Sequence, residues 1–547
     1  MASAKAKPEP RAGKRYTELE NNRRPFLDRA REGAALTIPY LMPPQGFTSS
    51  SQLPTPYQSH GARGVRTLSS KLLLALFPNA PFFRYSINEG ALAALNTAAA
   101  AVSQAQGAEA QKTKRGEVEV AMAARERAIM QELGIGVFRP IAFTALQHLL
   151  VSGNFCLYAP PEGGRVKGFR LDQFVVLRDP SGTILEGIIH ESIAESVLPE
   201  KVRALLGKQT EMQGSETKNL DLYTHIERVT EGKTAKWRIY QEINEIILPD
   251  SIGAYDIEQS PWLFLRLSAQ PGEDYGRGYI EEYLGDLDSL EGLTEAIVEG
   301  SVASSRVIFL VNPNGVTSLR VVQSAENLAV VSGKAEDVTT MQVQKQGDLQ
   351  VAMQHAQALA QSLSYAFLMN AAVQRDGERV TAQEIRFLAS ELDAALGGMY
   401  TLLAAEFQSP VVRLFERRME KRTGAEPLPE DLVQPQIVTG LEAIGRGQDQ
   451  RNMQAFVQDI LQGLGPEVAA PYIMIGEFIK RSAASYSIDT DGLIRSDEDV
   501  QAMQQQAQMQ QMMETMGPQG ISAAGGVLQE AMKQQGTKNV QATQPAG

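Results

Sequence analysis

The residues best suited to chemistry are few and scattered along this chain. Gly440-Leu-Glu-Ala-Ile-Gly445-Arg446-Gly447 has the glycine spacing of a phosphate-binding loop. Arg446 stands where a lysine would reach the phosphates, and Gly447 where a hydroxyl would hold Mg²⁺. The preceding Gln436–Thr439 reads as a strand, so the context fits while the two working side chains are missing. Ser487-Ile-Asp489-Thr-Asp491-Gly492, with Glu498 beyond, matches several positions of a calcium-binding loop. Ser487 at the first ligand position and Arg495 at the ninth remove oxygen donors that calcium needs, and a simple Asp-Gly turn explains the same residues. The five histidines, His60, His148, His190, His225 and His355, are dispersed and form no H-E-x-x-H or Cys/His cluster. Asp286 and Asp288 lie two apart on a helical pattern and so point to different faces. There is no G-x-S-x-G nucleophile motif. These absences favour a non-enzymatic protein that needs no metal or cofactor.

Cys156 is the single cysteine. It cannot form an internal disulfide, and a structural zinc site takes two or more. It lies in the apolar run His148–Tyr158, where it reads as a small buried hydrophobe whose free thiol suits a reducing cytoplasm. The N-terminal Met1–Lys14 has no apolar core of the signal-peptide kind. Apolar stretches such as Leu72–Phe77 and Ile246–Leu248 are too short to span a bilayer, so no membrane partner is expected.

The chain has 547 residues and a formal net charge of −12. Its apolar fraction of 43% suffices for a substantial core. A protein that coats DNA is usually basic, because phosphate contacts come from Lys and Arg. An acidic protein that handles DNA lets it pass rather than gripping it.

The elements that must position any site follow from periodicity. Residues 1–14 read as a disordered arm, and Tyr16–Leu36 as a helix despite Pro25. Ser59–Phe77 is a strong helix ended by Pro78. Residues 91–133 are helical in composition, and another helix follows Phe138. Phe174–Leu177, Ile184–Ile189, Leu222–Glu227, Trp237–Ile243 and Trp262–Leu267 are strand-like, making residues 150–270 an α+β part. Tyr275–Ser305 carries Tyr279, Tyr283, Leu287, Leu290, Ile297 and Val298 on one stripe of a helix. At about 1.5 Å per residue it would span roughly 45 Å. Strand character returns at Val307–Val311, Val321–Val322, Ala329–Val331 and Met341–Val343, with a turn at Asn312-Pro313-Asn314-Gly315. Helix resumes over Asp348–Ala372 and, after a polar loop, over Thr381–Arg422, with a kink expected around Gly397-Gly398 and Pro410. Residues 425–440 are extended and 446–485 helical. The tail from Gln501 places Met509, Met512, Met513 and Met516 at helical spacing; it is either an amphipathic helix packing against copies of itself or a low-complexity end.

Several segments resemble the portal, or head-to-tail connector, proteins of short-tailed phages that encode their own RNA polymerase. They are Gly61–Gly64 with Ser70–Pro78, Tyr275-Gly-Arg-Gly-Tyr-Ile-Glu-Glu-Tyr-Leu-Gly-Asp-Leu287, Leu310–Pro313, Ala372–Arg375 with Gly377–Ala382 and Glu384–Arg386, and Gly440–Asp449. Their order and separations match as well.

The resemblance implies a mixed, mainly α fold with an α+β wing and a β-containing clip, assembled as a dodecameric ring around a central channel. By order along the chain, residues 1–14 would be an arm, 15–274 the wing, 275–305 the first stem helix and 306–347 the clip. Residues 348–374 would be the second stem helix, 375–380 the tunnel loop and 381–445 the long kinked helix returning to the wing. Residues 446–494 would be the crown and 495–547 a C-terminal barrel or tail. Arg375, Asp376, Gly377, Glu378 and Arg379 would face DNA; alternatively both arginines pair with Asp376, Glu378 or Glu384 in a surface turn. Asn312, Pro313, Asn314 and Gly315 would sit in the clip that docks the terminase large subunit and then the tail adaptor. The implied partners are further copies of the chain, double-stranded DNA passing through the channel without sequence specificity, the major capsid protein, a scaffolding protein and internal core proteins. The implied role is DNA packaging and ejection with nucleation of the procapsid, after assembly in the host cytoplasm. Another virion structural role, in an internal core or tail, is the alternative, and an NTP-dependent translocase is a further one.

Overall fold

The computed structural model describes residues 9–48, 50–78, 82–87, 115–135, 137–210, 219–231, 234–305, 308–326, 329–341, 346–369, 392, 394, 396–424, 433–437, 445–469 and scattered positions from 472 to 510. Its first helix, α1 (Ala12–Ala35), begins inside the stretch expected to be an arm. The reason is long-range. The Glu242 carboxylate accepts hydrogen bonds from Ala12 N (2.9 Å) and Gly13 N (3.3 Å), two amides with no partner inside the helix. Pro25 lies within α1 without ending it, because Tyr16, Leu19, Arg23, Leu27 and Ala30 bury one continuous face around it. Arg23 is buried in that face and donates to Tyr16 Oη at 2.7 Å and to the Asp172 and Phe174 carbonyls at 2.9 and 3.0 Å.

Further along come α2 (His60–Leu76), β1 (Phe83–Ile87), α3 (Arg115–Ile135) and α4 (Phe138–Ser152). Strands follow: β2 (Asn154–Tyr158), β3 (Lys167–Phe169), β4 (Phe174–Arg178) and β5 (Ile184–Ala194). After α5 (Glu200–Thr210) lie β6 (Asn219–Glu231), β7 (Thr234–Ile243), β8 (Ile246–Ile247), β9 (Gly253–Asp256) and β10 (Trp262–Arg266). β4, β5, β6, β7 and β8 run in that order in a six-stranded antiparallel sheet, with β9 also paired to β7. α1 packs on it through Ala12, Tyr16 and Leu19 against Val175, Ile188 and Tyr240. A second cluster, Leu198, Leu206, Leu220, Leu222, Ile243 and Leu248, seats α5 on the same sheet. β2 lies between β10 and β3, and its Cys156 is fully buried opposite Phe264 and Phe169, as the apolar run implied.

The long helix expected from Tyr275 starts late. Gly276 and Gly278 lie in extended chain, a 3₁₀ turn covers Tyr279–Tyr283, and α6 runs Leu284–Ser305. The glycines are needed elsewhere. A Cβ on Gly278 would lie 2.4 Å from the Val151 carbonyl oxygen, and one on Gly276 2.7 Å from that of Gly153. Asn154 fastens the same contact, donating to Gly276 O (2.7 Å) and accepting from Gly276 N (2.8 Å).

After α6 an antiparallel ribbon forms from β11 (Ile308–Val311) and β12 (Val338–Met341), with α7 (Leu319–Ser324) between them. Val321 and Val322, expected as strand, lie in α7, and Ala329–Val331 is irregular chain. α8 (Gln346–Ala366) returns alongside α6, so close that a Cβ on Gly300 would sit 2.8 Å from Leu349. α9 (Gly398–Leu403) leads through a π turn at Ala404–Gln408 into α10 (Ser409–Thr423). The irregularity expected at Pro410 thus falls just ahead of it. Phe77, Phe138, Phe407 and Phe415 stack edge to face where these helices meet α2 and α4. β13 (Val433–Ile437) pairs with β1.

Apart from residues 115–124 of α3, these elements belong to a unit of residues 1–110 and 125–445; a second comprises 111–124 and 446–547. The described part of the second holds most of α11 (Gly445–Leu464) and a short helix Pro466–Ala469. Among the described residues no single helix is long and apolar enough to cross a membrane.

Candidate functional site

The two segments singled out in the sequence fare differently. Arg375, Asp376, Gly377, Glu378 and Arg379 lie outside the described residues, as do Gly440–Ile444 and most of Ser487–Glu498. Gly445, Arg446 and Gly447 open α11. Asn312–Gly315 is described in full.

That turn caps the β11–β12 ribbon. Asn312 O accepts from Gly315 N at 3.0 Å, closing a four-residue turn with Pro313 where its fixed φ fits. Asn312 Oδ1 accepts from Asn314 N at 3.0 Å, and Asn312 N donates across the ribbon to Asp337 O at 2.9 Å. The organising side chain is Asp337, which the sequence did not reveal. Its Oδ2 accepts from Val316 N (2.9 Å), Thr317 N (3.1 Å) and Thr317 Oγ1 (3.0 Å). Thr317 is buried by this, and its Oγ1 accepts from Lys334 N at 2.9 Å. Two glycines are explained by crowding. A Cβ on Gly315 would lie 2.5 Å from the Asp337 carboxylate, and one on Gly333 2.6 Å from Thr317 Oγ1. The only local signal for Asp337 was its residue type, since Asp readily bonds nearby backbone amides in turns.

Around this ordered tip the surface is apolar. Phe309 is 60% exposed and Val316 78%, with Leu310 and Leu319 exposed close by in the chain.

The helices behind the tip are acidic. α6 carries Asp286, Asp288, Glu291, Glu295 and Glu299 and no Lys or Arg; α8 carries Asp348 and no Lys or Arg. Glu291 is committed to structure, accepting from Tyr57 N (2.8 Å) and Gln58 N (3.1 Å). Asp288, Glu295 and Glu299 are exposed. Val298, Val302, Val351, Met353 and Tyr365 are exposed on the same two helices, so the expected stripe is buried only at its beginning, at Tyr279, Leu287 and Leu290.

Residues 9–494 match the family model of the bacteriophage head to tail connecting proteins. The chain belongs to this family. The portal protein of Escherichia phage T7 is 39% identical over 527 residues, 94% of this chain and 95% of that one. The portal protein of Enterobacteria phage SP6 is 30% identical over 527 residues, 95% and 97% of the two chains. Among solved structures, the neck of an empty gene transfer agent particle is 11% identical, with a TM-score of 0.34 over 73% of this chain and 86% of that one. Phage portal proteins are structural virion components at the head-tail connection, so the resemblance in the sequence is borne out at the level of the family. Within the Tyr275–Leu287 segment, Gly276 and Gly278 have a structural account in this chain: they let two backbones touch.

Proposed function

We propose that this chain is the subunit of a closed ring, of twelve copies, whose axial channel conducts double-stranded DNA into and out of a phage capsid. The single observation that carries the reading beyond the family is the α6–α8 pair. It combines six carboxylates and no Lys or Arg with apolar side chains left in water. The exposed valines, Met353 and Tyr365 would be covered by neighbouring copies. The exposed Asp288, Glu295 and Glu299 would repel phosphates along a passage, so that DNA moves without releasing counterions and sticking.

On this reading 275–305 and 348–374 are the stem, formed by α6 and by α8 from Asp348 onward, and 306–347 is the clip. Asn312, Pro313, Asn314 and Gly315 then lie on the surface that docks the terminase large subunit during packaging and the tail adaptor afterwards. Residues 15–274 would be the wing against the major capsid protein and scaffold. Residues 381–445 would be the long helix and its return to the wing, 446–494 the crown beside internal core proteins, and 495–547 a barrel or tail. Arg375 and Arg379, with Asp376, Gly377 and Glu378, would touch the DNA backbone without reading its sequence. The ring would nucleate the procapsid, assembling in the host cytoplasm.

Electron microscopy of the purified full-length protein tests this. End-on class averages should show closed rings with twelve-fold symmetry and a hole wide enough for a duplex. Monomers, or filaments without a channel, refute it.

A further inference from the structure

Among the described side chains from 347 to 369, only Leu363 and Phe367 are buried. They lie one helical turn apart, on one face. The rest of α8 is exposed or half-exposed, so its attachment to the subunit body is concentrated at its last turn.

That attachment is a socket. The Phe367 ring packs against Tyr279 and Tyr283, with centroids 6.0 and 5.8 Å away. Beneath it lies Gly64 of α2, where a Cβ would come within 2.5 Å of Phe367 Cγ. Only a residue without a side chain leaves room there for the ring. The backbone is secured as firmly. Phe367 N donates to Leu363 O at 2.9 Å and Met369 N to Ser364 O at 2.8 Å. The last carbonyls of a helix lack partners within it. Here Tyr279 Oη donates to Ala366 O and Lys71 Nζ to Leu368 O, both at 2.9 Å. Leu368 adopts φ 55, a left-handed conformation that a leucine holds only where its surroundings impose it. An aromatic plug, two side-chain donors and an imposed left-handed residue meet within a few residues, and the chain reaches Arg375 shortly afterwards.

We infer that Phe367, seated on Gly64, is a positioning residue. It fixes the end of α8 to the subunit body and sets where the chain departs toward Arg375–Arg379. The inference rests on the DNA-facing role proposed for those arginines.

The test is hydrogen exchange on assembled full-length protein, read on the amides of Phe367, Leu368 and Met369. Phe367→Ala should speed their exchange by roughly a hundred-fold, as local opening no longer has to withdraw a buried aromatic ring. Phe367→Leu, which keeps an apolar side chain in the socket, should restore most of the protection. Gly64→Ala should reproduce the alanine phenotype from the opposite wall, and Gln354→Ala, at an exposed polar site on the same helix, should change nothing. Electron microscopy establishes that each variant still assembles. Particles built with Phe367→Ala should retain DNA poorly, and those built with Phe367→Leu should retain it normally. Exchange that stays within about twofold of the parent in both Phe367→Ala and Gly64→Ala overturns the anchor. Fast exchange with normal DNA retention overturns the positioning role. Failure of the DNA-facing reading itself is seen separately, in the arginine variants described below.

Discussion

The Nε2 of His225 lies 2.7 Å from Oε1 of Glu186, across β6 and β5 in the six-stranded sheet, and His225 is fully buried. The other ring nitrogen is 2.6 Å from Tyr240 Oη, and Arg15 Nε donates to Glu186 Oε2 at 3.0 Å, tying α1 to the same carboxylate. Burial alone would push the Glu186 carboxyl up; the hydrogen bonds and charges of His225 and Arg15 outweigh it and hold it below its ordinary 4.5. A carboxyl depressed on folding stabilises fully above its unfolded value, and that contribution is lost as pH falls through the folded one. Thermal melts taken downward from neutral pH should therefore show a loss, setting in below 4.5, that Glu186→Gln lacks. Parallel profiles for the two proteins would rule this out. Glu186→Ala, which leaves His225 Nε2 buried in the sheet without this partner, should cost roughly 1–3 kcal/mol.

A second prediction concerns the glycines before α6. Gly278→Ala drives a methyl into the Val151 carbonyl, 2.4 Å away, where backbone must move on both sides. Chemical denaturation should register a loss of about 1–3 kcal/mol. Asn154→Ala removes the paired hydrogen bonds to Gly276 and leaves two buried backbone groups without them, for about 1–3 kcal/mol. If both variants melt with the parent protein, this contact does not hold the root of α6.

These glycines also show where local sequence stops being informative. The stripe from Tyr279 to Val298 predicted one helix from Tyr275 because its period is helical, yet periodicity cannot report that Gly276 and Gly278 are taken up by a contact with α4 and β2. Ala12–Lys14 read as an arm because nothing nearby orders them; Glu242 does, from far along the chain. Val321 and Val322 looked like strand for their β-branched side chains, but among the described residues pairing here is confined to β11 and β12, and Leu319–Ser324 coils into α7 instead. By contrast, β4, β5, β6, β7 and β10 were legible as β-branched and aromatic runs between turns, whereas the short β8 and β9 were not. The turn at Asn312–Gly315 was legible from Pro and Gly, whereas Asp337 was not, because its partners lie on the far side of α7.

Asp337→Ala is the third prediction. It removes three hydrogen bonds to Val316 and Thr317 at a half-exposed site. The local cost should be about 1–2 kcal/mol, less than for a buried carboxylate, since water replaces part of it. Amide exchange at Val316 and Thr317 should quicken while the melting temperature of the whole protein barely shifts. Rings should still form, with weaker binding of whichever partner docks on the ribbon tip. Unchanged exchange would show that the tip is ordered without Asp337.

The fourth prediction separates the two readings of Arg375 and Arg379. Replacing both by alanine should leave rings intact but alter DNA packaging or retention, if the arginines touch phosphates. Unchanged packaging and retention would place them in a surface turn, paired with Asp376, Glu378 or Glu384.

The last prediction addresses the acidic helix. If the exposed carboxylates of α6 line a passage, Asp288→Lys, Glu295→Lys and Glu299→Lys together should convert a repelling wall into a gripping one. Each lysine that reaches a phosphate releases condensed counterions, adding about −0.9 to the slope of log K against log salt for duplex DNA. Purified rings of the parent protein should bind duplex weakly. The triple variant should bind it with a slope up to about −2.7 per subunit engaged, and particles built from it should package or eject slowly at low salt and recover as salt rises. The salt recovery is the decisive element, because a folding defect would not be relieved by screening. Weak binding in the variant, with DNA movement unchanged, would put these carboxylates on the outside of the ring and leave the low-friction channel without its wall.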